Sequence, residues 1–277
     1  MIHRGRAFYK LTGSGNDFVF IDVRSEPAGV LENVATIRAV CARGSGVGAD
    51  GIVFLSSGES SPVAIRYLNS DGSAAALCGN ATLCAARLAA ELRIVSGDRD
   101  FTIATDAGDV TARFREGLPE IDLQPVIELQ DCFQAEVESN ESRLGFALVG
   151  VPHLVVLCAD VDKAPIVERG RALRHDVRLP HGANVNFVSR HGAGWRMRTY
   201  ERGVEAETLA CGTGAVATAL LLSAWGQASG AVELETKSGR SLRVRHQLEA
   251  DQYRASLSGE ARIVFVGQLA ELFSSDT

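Results

Sequence analysis

Several features that mark common protein classes are missing from the sequence. Its 277 residues contain no Cys-x-x-Cys pair, no Gly-x-Gly-x-x-Gly after a strand and no Walker loop. The sequence therefore offers no recognisable zinc site or nucleotide-binding fingerprint, and we expect neither a metal nor a cofactor. The longest helix-like apolar run, 215–225, is far shorter than the ~20 residues that a membrane span needs, so we expect no membrane partner.

An excess of positive charge is missing as well. The chain has 28 Lys and Arg against 34 Asp and Glu, a net charge of −6, which argues against a nucleic-acid partner. The basic start of the chain is not followed by an apolar run, so it does not indicate a signal peptide, and we expect a cytoplasmic protein. Hydrophobic residues at 46% and charged residues at 22% are typical of a soluble globular protein of one or two domains.

Two of the six cysteines share one local setting. Cys78 and Cys211 each lie eleven residues after a tyrosine, and each is followed by glycine, a small polar residue and an alanine-rich segment of helical character. The scattered spacing of the cysteines does not indicate a disulfide framework. We expect the other four to be small, buried and inert side chains: Cys41, Cys84, Cys132 and Cys158.

The second half of the sequence repeats landmarks of the first half in the same order. The two cysteines are 133 residues apart, and the turns at 105–109 and 236–240, each followed by a strand-like alternation, are 131 apart. This near-constant offset favours a duplicated domain over coincidence. We predict an α+β fold of two pseudo-symmetric halves, 1–124 and 125–277, each a curved β-sheet or barrel around a central helix. It stays open whether the last strand, about 261–277, returns to the first half.

Hydrophobic periodicity and turn residues predict the elements of these halves. The predicted helices are 34–41, 80–94, 167–174 and 213–225, with Gly97 and Gly226 where the second and fourth should end. The predicted strands are 18–23, 51–55, 63–68, 100–104, 110–114, 153–157, 195–199, 231–235, 242–246 and 263–266. A junction between the halves is expected near 119–125. Because 212–225 contains no charged residue, we expect strands to enclose that helix.

A cysteine at the start of a helix is placed for acid/base chemistry. The first turn has four backbone N–H groups without intrahelical partners and the positive end of the macrodipole, which favour a thiolate and can hold a carboxylate. Gly79 and Gly212 let a ligand approach the backbone closely. If both helix starts face one substrate, one thiolate removes the α-proton and the N–H groups hold the resulting dianion. The opposite thiol then delivers a proton to the other face, and the centre inverts without a cofactor.

A Cys-His hydrolase is a rival interpretation of the same cysteines. It would need a histidine beside one of them, and none of the six histidines lies in a signature that predicts this. We expect His153, which follows Val151-Pro152, to be a turn residue or an indirect support of the site.

Motifs in a fixed order cover nearly the whole chain. They are Gly13-Ser14-Gly15-Asn16-Asp17-Phe18, Asn69-Ser70-Asp71-Gly72-Ser73, Cys78-Gly79-Asn80, Gly150-Val151-Pro152-His153, Asn184-Val185-Asn186-Phe187, Tyr200-Glu201-Arg202-Gly203 and Cys211-Gly212-Thr213-Gly214. Together they resemble the diaminopimelate epimerase family. The resemblance implies interconversion of LL- and meso-2,6-diaminopimelate, for lysine and peptidoglycan precursors, without pyridoxal phosphate. It also implies a site in the cleft between duplicated halves, and usually a homodimer.

The resemblance also implies roles for single residues. Cys78 and Cys211 match the family's two bases. The backbone N–H groups that would hold the reacting carboxylate are those of Gly79, Asn80, Gly212 and Thr213. Asn16 falls where the family contacts the substrate near the reacting centre. The residues that fall where the family holds the distal amino acid are Asn69, Asn184, Glu201 and Arg202. The Arg202 fork suits the distal carboxylate, the Glu201 carboxylate suits the distal ammonium, and the two asparagine amides complete the hydrogen bonds.

The chain departs from the family pattern at two places. Many members have Cys-Gly-Asn-Gly-x-Arg-Cys, whereas Ala81 and Leu83 stand here in place of the glycine and the arginine. Many members have Gly-Asn-Pro-His, and here Val151 replaces that asparagine. These departures concern recognition of the distal end of the substrate. They leave open a related racemase for another amino acid, and a non-catalytic amino-acid binding protein on the same scaffold is a third hypothesis.

Overall fold

The computed structural model describes residues 5–126, 128–250 and 252–270. The chain divides into two compact units. Unit 1 comprises Met1–Ile121 with Glu260–Thr277, and unit 2 comprises Asp122–Gly259. No helix of the described residues is long and apolar enough to cross a membrane.

Unit 1 is built from strands around one long helix. Its strands are β1 (Ala7–Gly13), β2 (Asn16–Asp22), β3 (Gly51–Ser56), β4 (Val63–Asn69), β5 (Phe101–Thr105), β6 (Gly108–Arg115), β7 (Leu118–Asp122) and β17 (Ala261–Gln268). Its helices are α1 (Val34–Cys41) and α2 (Gly79–Glu91). Helix α2 contacts β1, β2, β4, β6 and β17, and its small buried alanines let these strands approach closely.

Unit 2 has the same plan. Its strands are β8 (Leu129–Gln130), β9 (Glu141–Val149), β10 (Val151–Cys158), β11 (Asn184–His191), β12 (Gly194–Glu201), β13 (Ala206–Thr208), β14 (Val232–Glu235), β15 (Ser241–Glu249) and β16 (Gln252–Gly259). Its helices are α3 (Ile166–Arg174) and α4 (Gly212–Ala224). Helix α4 contacts β9, β10, β11, β15 and β16, and ten of its thirteen residues are buried.

The two units repeat one order of strand pairings. In unit 1, β1–β2 is antiparallel, β2–β3 parallel, β3–β4 antiparallel, β4–β5 parallel and β5–β6 antiparallel. In unit 2, the series β9–β10, β10–β11, β11–β12, β12–β14 and β14–β15 alternates in the same way. Helices α1 and α3 each connect the first parallel pair. The predicted α+β fold with a central helix in each half is confirmed.

All four predicted helices are present, and the fourth ends where the sequence predicts. Helix α4 stops before Gly226, which has φ 68°. The N–H of Gln227 bonds the Leu222 carbonyl at 2.8 Å, so the glycine closes the helix in a left-handed cap.

Helix α2 ends earlier than predicted, at Glu91, and the expectation that Gly97 ends it is wrong. Arg93 adopts the left-handed conformation, with φ 56°. The N–H of Ile94 bonds the Ala89 carbonyl at 2.9 Å and the N–H of Arg93 bonds the Ala90 carbonyl at 3.0 Å, which is the Schellman pattern. The cap therefore forms on a residue type that rarely takes this conformation, ahead of the glycine.

This helix end gives a stability prediction. Arg93→Gly is expected to raise the free energy of unfolding by about 0.5–1 kcal/mol, because glycine adopts a positive φ without steric cost. Gly226→Ala, at the matched position after α4, is expected to lower it by about 1 kcal/mol. Urea unfolding of both variants measures the difference. A destabilised Arg93→Gly variant would contradict the assignment.

Several strands lie outside the segments predicted from the sequence. They are β1, β7, β8, β9, β11, β13 and β16. Strand β7 contains Pro119, within the segment expected to be a junction, and it pairs with β6 through Phe114 and Pro119. Two buried asparagines interrupt the apolar pattern of β11, so hydrophobic periodicity does not predict this strand. The last strand, β17, pairs with β1 of unit 1 from Ala261 to Gln268, while residues 271–277 of the predicted strand lie outside the described residues.

Candidate active site

Cys78 is the N-cap residue of α2. Its backbone is extended, with φ −128° and ψ 111°, and its side chain is half-buried. Its carbonyl accepts hydrogen bonds from the backbone N–H and from the hydroxyl of Thr82, both at 2.9 Å. The N–H groups of Gly79 and Asn80 belong to the first turn, where helices have no internal acceptors for them.

Cys211 is the N-cap residue of α4 in nearly the same conformation, with φ −138° and ψ 111°. Its carbonyl accepts from the N–H of Ala215 at 2.9 Å. Its Sγ accepts from the N–H of Gly214 at 3.4 Å and lies 3.7 Å from the hydroxyl oxygen of Thr213. The helix-start setting predicted for both cysteines is therefore confirmed.

Three of the other four cysteines are buried thiols. Burial raises the pKa of Cys41 to about 11 and that of Cys158 to about 12, and it raises the pKa of Cys84 well above its ordinary value. The expectation of a buried side chain is wrong for Cys132, which is exposed. It follows the short strand β8 on a loop, so no core surrounds it.

A chain of polar side chains reaches the start of α2 in unit 1. The amide of Asn80 donates to Asn16 Oδ1 at 2.6 Å, and the amide of Asn16 donates to Asp50 Oδ2 at 3.0 Å. Arg43 donates to Asp50 Oδ1 at 2.7 Å. The structure thus brings Asn16 and Asn80 together at the turn that follows Cys78.

Strand β1 passes close to the same turn. A Cβ placed on Gly13 would lie 2.8 Å from Cys84 Sγ and 3.1 Å from the Asn80 carbonyl oxygen. Only glycine leaves room for this approach, which packs the end of β1 against the first turn of α2.

A buried polar network adjoins Cys211 in unit 2. His153 Nε2 lies 3.0 Å from the Thr213 hydroxyl, and the Asn186 amide nitrogen lies 3.2 Å from His153 Nδ1. The same amide nitrogen donates to the Leu154 carbonyl at 3.0 Å, and the Thr199 hydroxyl donates to Asn186 Oδ1 at 2.9 Å. His153 lies in β10, so of the two roles expected for it the turn residue is wrong, whereas its contact with Thr213 agrees with an indirect support. Its imidazole contacts Thr213 rather than a cysteine.

His153 is held neutral. Burial, and to a lesser degree the positive charge of Arg202, lowers the pKa of His153 to about 3. An ordinary histidine has a pKa of 6.5. The folded state therefore binds this proton far less readily than the unfolded chain does.

This shift predicts a pH dependence of stability. The unfolded chain takes up a proton as the pH falls below 6.5 and the folded chain does not until about 3, so the stability present above pH 6.5 is lost as the pH falls. His153 should contribute a slope of up to about 1.4 kcal/mol per pH unit in this window. Urea unfolding between pH 6 and pH 4 should show a shallower slope for His153→Gln than for the unchanged chain. Equal slopes would contradict the shift.

The residues expected to hold the distal end of the substrate form two groups. In unit 2, Asn184 Oδ1 accepts from the backbone N–H of Arg202 at 2.8 Å, and Glu201 precedes Arg202 at the end of β12. In unit 1, Asn69 lies in a separate group, where it accepts from the Tyr67 hydroxyl at 2.9 Å and donates to Ser73. Their roles in substrate binding stay predictions.

The described part of the chain contains no group of three or more His, Cys, Asp or Glu side chains that could hold a metal ion. Two cavities of unit 2, about 830 and 540 Å³, are lined by residues other than Cys211.

Sequence reasoning missed the partners that fix these polar groups. They are Arg43 and Asp50 in unit 1, and Thr199 with Asn186 in unit 2. The sequence does single out Asn186 as a candidate buried polar residue, because it lies within the apolar run from Val185 to Val188. No local signal distinguishes Asp50 from an ordinary turn residue.

Solved structures with the same fold indicate the class of protein to which this chain belongs. A PhzF-family phenazine biosynthesis protein from Bacillus anthracis has the same fold, with a TM-score of 0.74 and 13% identity over 95% of this chain and 98% of that one. A hydroxyproline epimerase from Agrobacterium vitis matches with a TM-score of 0.70 and 17% identity over 97% and 93%. The proteins that share this fold thus include an epimerase. Together with the family match reported next, this shows that the chain is an isomerase.

The sequence comparison identifies the family. The model of the diaminopimelate epimerase family matches residues 8–121 and 145–264, which include both helix-start cysteines. A diaminopimelate epimerase from Gemmatimonas aurantiaca is 46% identical over 96% of this chain and 100% of its own length. The chain belongs to the diaminopimelate epimerase family.

Proposed function

We propose that this protein interconverts LL- and meso-2,6-diaminopimelate, a step toward lysine and peptidoglycan precursors, with Cys78 and Cys211 as its acid/base pair. One observation carries the proposal: a chain of this family has a cysteine at the N-cap of the central helix in each unit, in matching backbone conformations. The substrate is a small amino acid, and the chemistry requires no cofactor.

The proposed reaction is a proton transfer on each face of one carbon. The substrate carboxylate accepts hydrogen bonds from first-turn N–H groups, which are oriented for an anion before it binds. One thiolate removes the α-proton, and the same N–H groups stabilise the added negative charge. The other thiol donates its proton to the opposite face. The donors that we assign to the carboxylate are the N–H groups of Gly79, Asn80, Gly212 and Thr213.

The distal amino acid would be recognised by charge. Arg202 supplies a planar fork for its carboxylate, and Glu201 supplies an anion for its ammonium. Asn69 and Asn184 supply amides for the remaining hydrogen bonds. We assign Asn16 to the substrate near the reacting centre, and its hydrogen bond with Asn80 supports this assignment. Val151, in place of an asparagine, leaves this end with one amide fewer than many family members have.

Proton exchange in deuterated water tests the function. LL- and meso-diaminopimelate, supplied separately, should reach the same mixture of epimers, with deuterium at the inverted α-carbon. Turnover of a mono-amino acid with none of diaminopimelate would favour a related racemase. Binding of diaminopimelate without any α-proton exchange would favour a binding protein.

We further propose a homodimer in the cytoplasm. Strand β17 presents adjacent apolar side chains to solvent, with Val264, Phe265 and Val266 exposed by 45%, 47% and 60%, and such a patch favours association with a second copy. The six cysteines, all within the described residues, form no disulfide, and a reaction that needs two reduced thiols suits a reducing compartment.

The dimer proposal predicts a change of mass in solution. Val266→Glu places a charge in the exposed patch and should shift sedimentation from dimer to monomer. Val177→Glu, at a valine that is 95% exposed in unit 2, is the matched control and should leave the mass unchanged. The proposal would be contradicted if the protein without substitutions were a monomer, or if the Val266→Glu variant remained a dimer.

A further inference from the structure

A carboxylate just before β3 fixes the orientation of the Asn16 side chain. Asp50 Oδ1 forms an ion pair with Arg43 at 2.7 Å, so the Asp50 side chain is a carboxylate and can only accept hydrogen bonds. Its other oxygen, Oδ2, lies 3.0 Å from the Asn16 amide, which must therefore turn its nitrogen toward Asp50. The backbone N–H of Asp17 donates to the same Oδ2 at 3.1 Å. The oxygen of the Asn16 side chain is then the end that faces Asn80.

The orientation of Asn16 sets that of Asn80, in the first turn of α2. Asn16 Oδ1 is an acceptor, so the Asn80 atom that lies 2.6 Å from it is the amide nitrogen, which donates. Asn80 is only 2% exposed, and its Oδ1 has no hydrogen-bond donor within the described part of the chain. A buried acceptor without a donor costs free energy, which a donor that arrives with a ligand restores. The start of α2 therefore favours a ligand that brings a donor.

The backbone on both sides of Asp50 is held in place. The N–H of Asp50 donates to the Asp17 carbonyl at 2.8 Å, and its carbonyl accepts from the N–H of Ser70 at 3.0 Å. Just before it, the N–H groups of Gly48 and Ala49 donate to carbonyls in the last turn of α1, at 3.1 and 3.0 Å. The main chain thus keeps the carboxylate against Asn16 without help from a ligand.

We propose that Asp50 is a positioning residue, which makes Asn16 and Asn80 offer amide oxygens rather than N–H groups to the ammonium on the reacting carbon of the substrate. Of the two polar groups on that carbon, the carboxylate accepts and only the ammonium donates. The first-turn N–H groups then hold the carboxylate, and the two amide oxygens hold the ammonium beside it. The positive charge kept there stabilises the negative charge that develops as the α-proton leaves. This assignment rests on the proposed function.

Epimerisation kinetics of Asp50→Ala test the proposal. The substitution removes the acceptor that directs the Asn16 nitrogen, so kcat/KM for diaminopimelate should fall about tenfold to a hundredfold. Asp22→Ala is the matched control, because Asp22 also accepts from a backbone N–H and an arginine fork, both of Arg24, but lies at the opposite end of β2 from Asn16. Its kcat/KM should stay within about twofold of the unchanged chain. An unaltered kcat/KM in Asp50→Ala would overturn the proposal.

A double-mutant cycle separates positioning from a structural effect. Asn16→Ala removes the amide through which Asp50 acts, so Asp50→Ala in that background should lower kcat/KM no further. The loss of the ion pair with Arg43 should still lower stability toward urea in either background. Additive losses in kcat/KM would refute positioning through Asn16.

Exchange of the Asn16 side-chain amide protons gives a readout without diaminopimelate. After labelling of the asparagines with nitrogen-15, NMR should show these protons exchanging with water about tenfold faster in Asp50→Ala, because their acceptor is gone. Asn16→Ala identifies the signals, and Asp22→Ala should leave their exchange unchanged. Equal exchange in Asp50→Ala and the unchanged chain would refute the fixed orientation. Faster exchange in Asp50→Ala, in a protein that does not turn over diaminopimelate, would refute the proposed function and leave the positioning of Asn16 intact.

Discussion

Replacing Cys78 or Cys211 with alanine is expected to lower the rate of diaminopimelate inversion by about a thousandfold or more. Each variant keeps one thiol, but inversion needs a base on one face of the α-carbon and an acid on the other. Both substitutions remove a small side chain at a helix N-cap and should leave the fold intact. The rate is measured from each epimer by chiral chromatography, with circular dichroism as the test of folding.

Cys132→Ala is the matched control for these variants. Cys132 is exposed on a loop after β8, outside both helix starts, so its removal should leave the rate within about twofold of the unchanged chain. Near-normal turnover of folded Cys78→Ala or Cys211→Ala would refute the two-base proposal. A large loss in Cys132→Ala would instead show that handling of exposed thiols affects the assay.

The helix starts could be predicted because their signals are local. A cysteine followed by glycine, a small polar residue and alanines specifies an N-cap within a few positions of the chain. The matched landmarks indicate a duplication, and the repeated strand pairings of β1–β6 and β9–β15 agree with it. Local signals fail where a residue departs from its usual role, as Arg93 does at the end of α2.

The supporting groups could not be predicted because they depend on strand register. Asn186 reaches Thr199 because antiparallel β11–β12 sets the two opposite each other, and it reaches His153 because parallel β10–β11 places Asn186 opposite Val155, two residues further along the strand from His153. A shift of one residue would turn Asn186 to the other face of the sheet. In unit 1, Asp50 likewise meets Asn16 across 34 positions of the chain. Sequence spacing alone carries no information on such pairs.

Gly214→Ala is expected to be the most damaging substitution outside the cysteines. A Cβ at this position would lie 2.2 Å from Asn186 Oδ1 and 3.1 Å from Cys211 Sγ. Either the first turn of α4 or the Asn186 side chain must therefore move, which disturbs the N–H that donates to the sulfur or the hydrogen bonds of Asn186 in the buried network. We expect a loss of about a hundredfold or more in rate and about 1–3 kcal/mol in the free energy of unfolding.

Two further variants separate the clash from the chemistry. Gly97→Ala, where the nearest atom to the added Cβ is 3.7 Å away, should change neither rate nor stability appreciably. Asn186→Ala combined with Gly214→Ala removes the side chain that the new Cβ would meet, so the double variant should be more stable than the sum of the single effects predicts. Its rate should stay low, because His153 then lacks the Asn186 amide that lies 3.2 Å from its Nδ1. Recovery of both stability and rate in the double variant would show that packing alone, and not the lost contact between Asn186 and His153, limits the activity of Gly214→Ala.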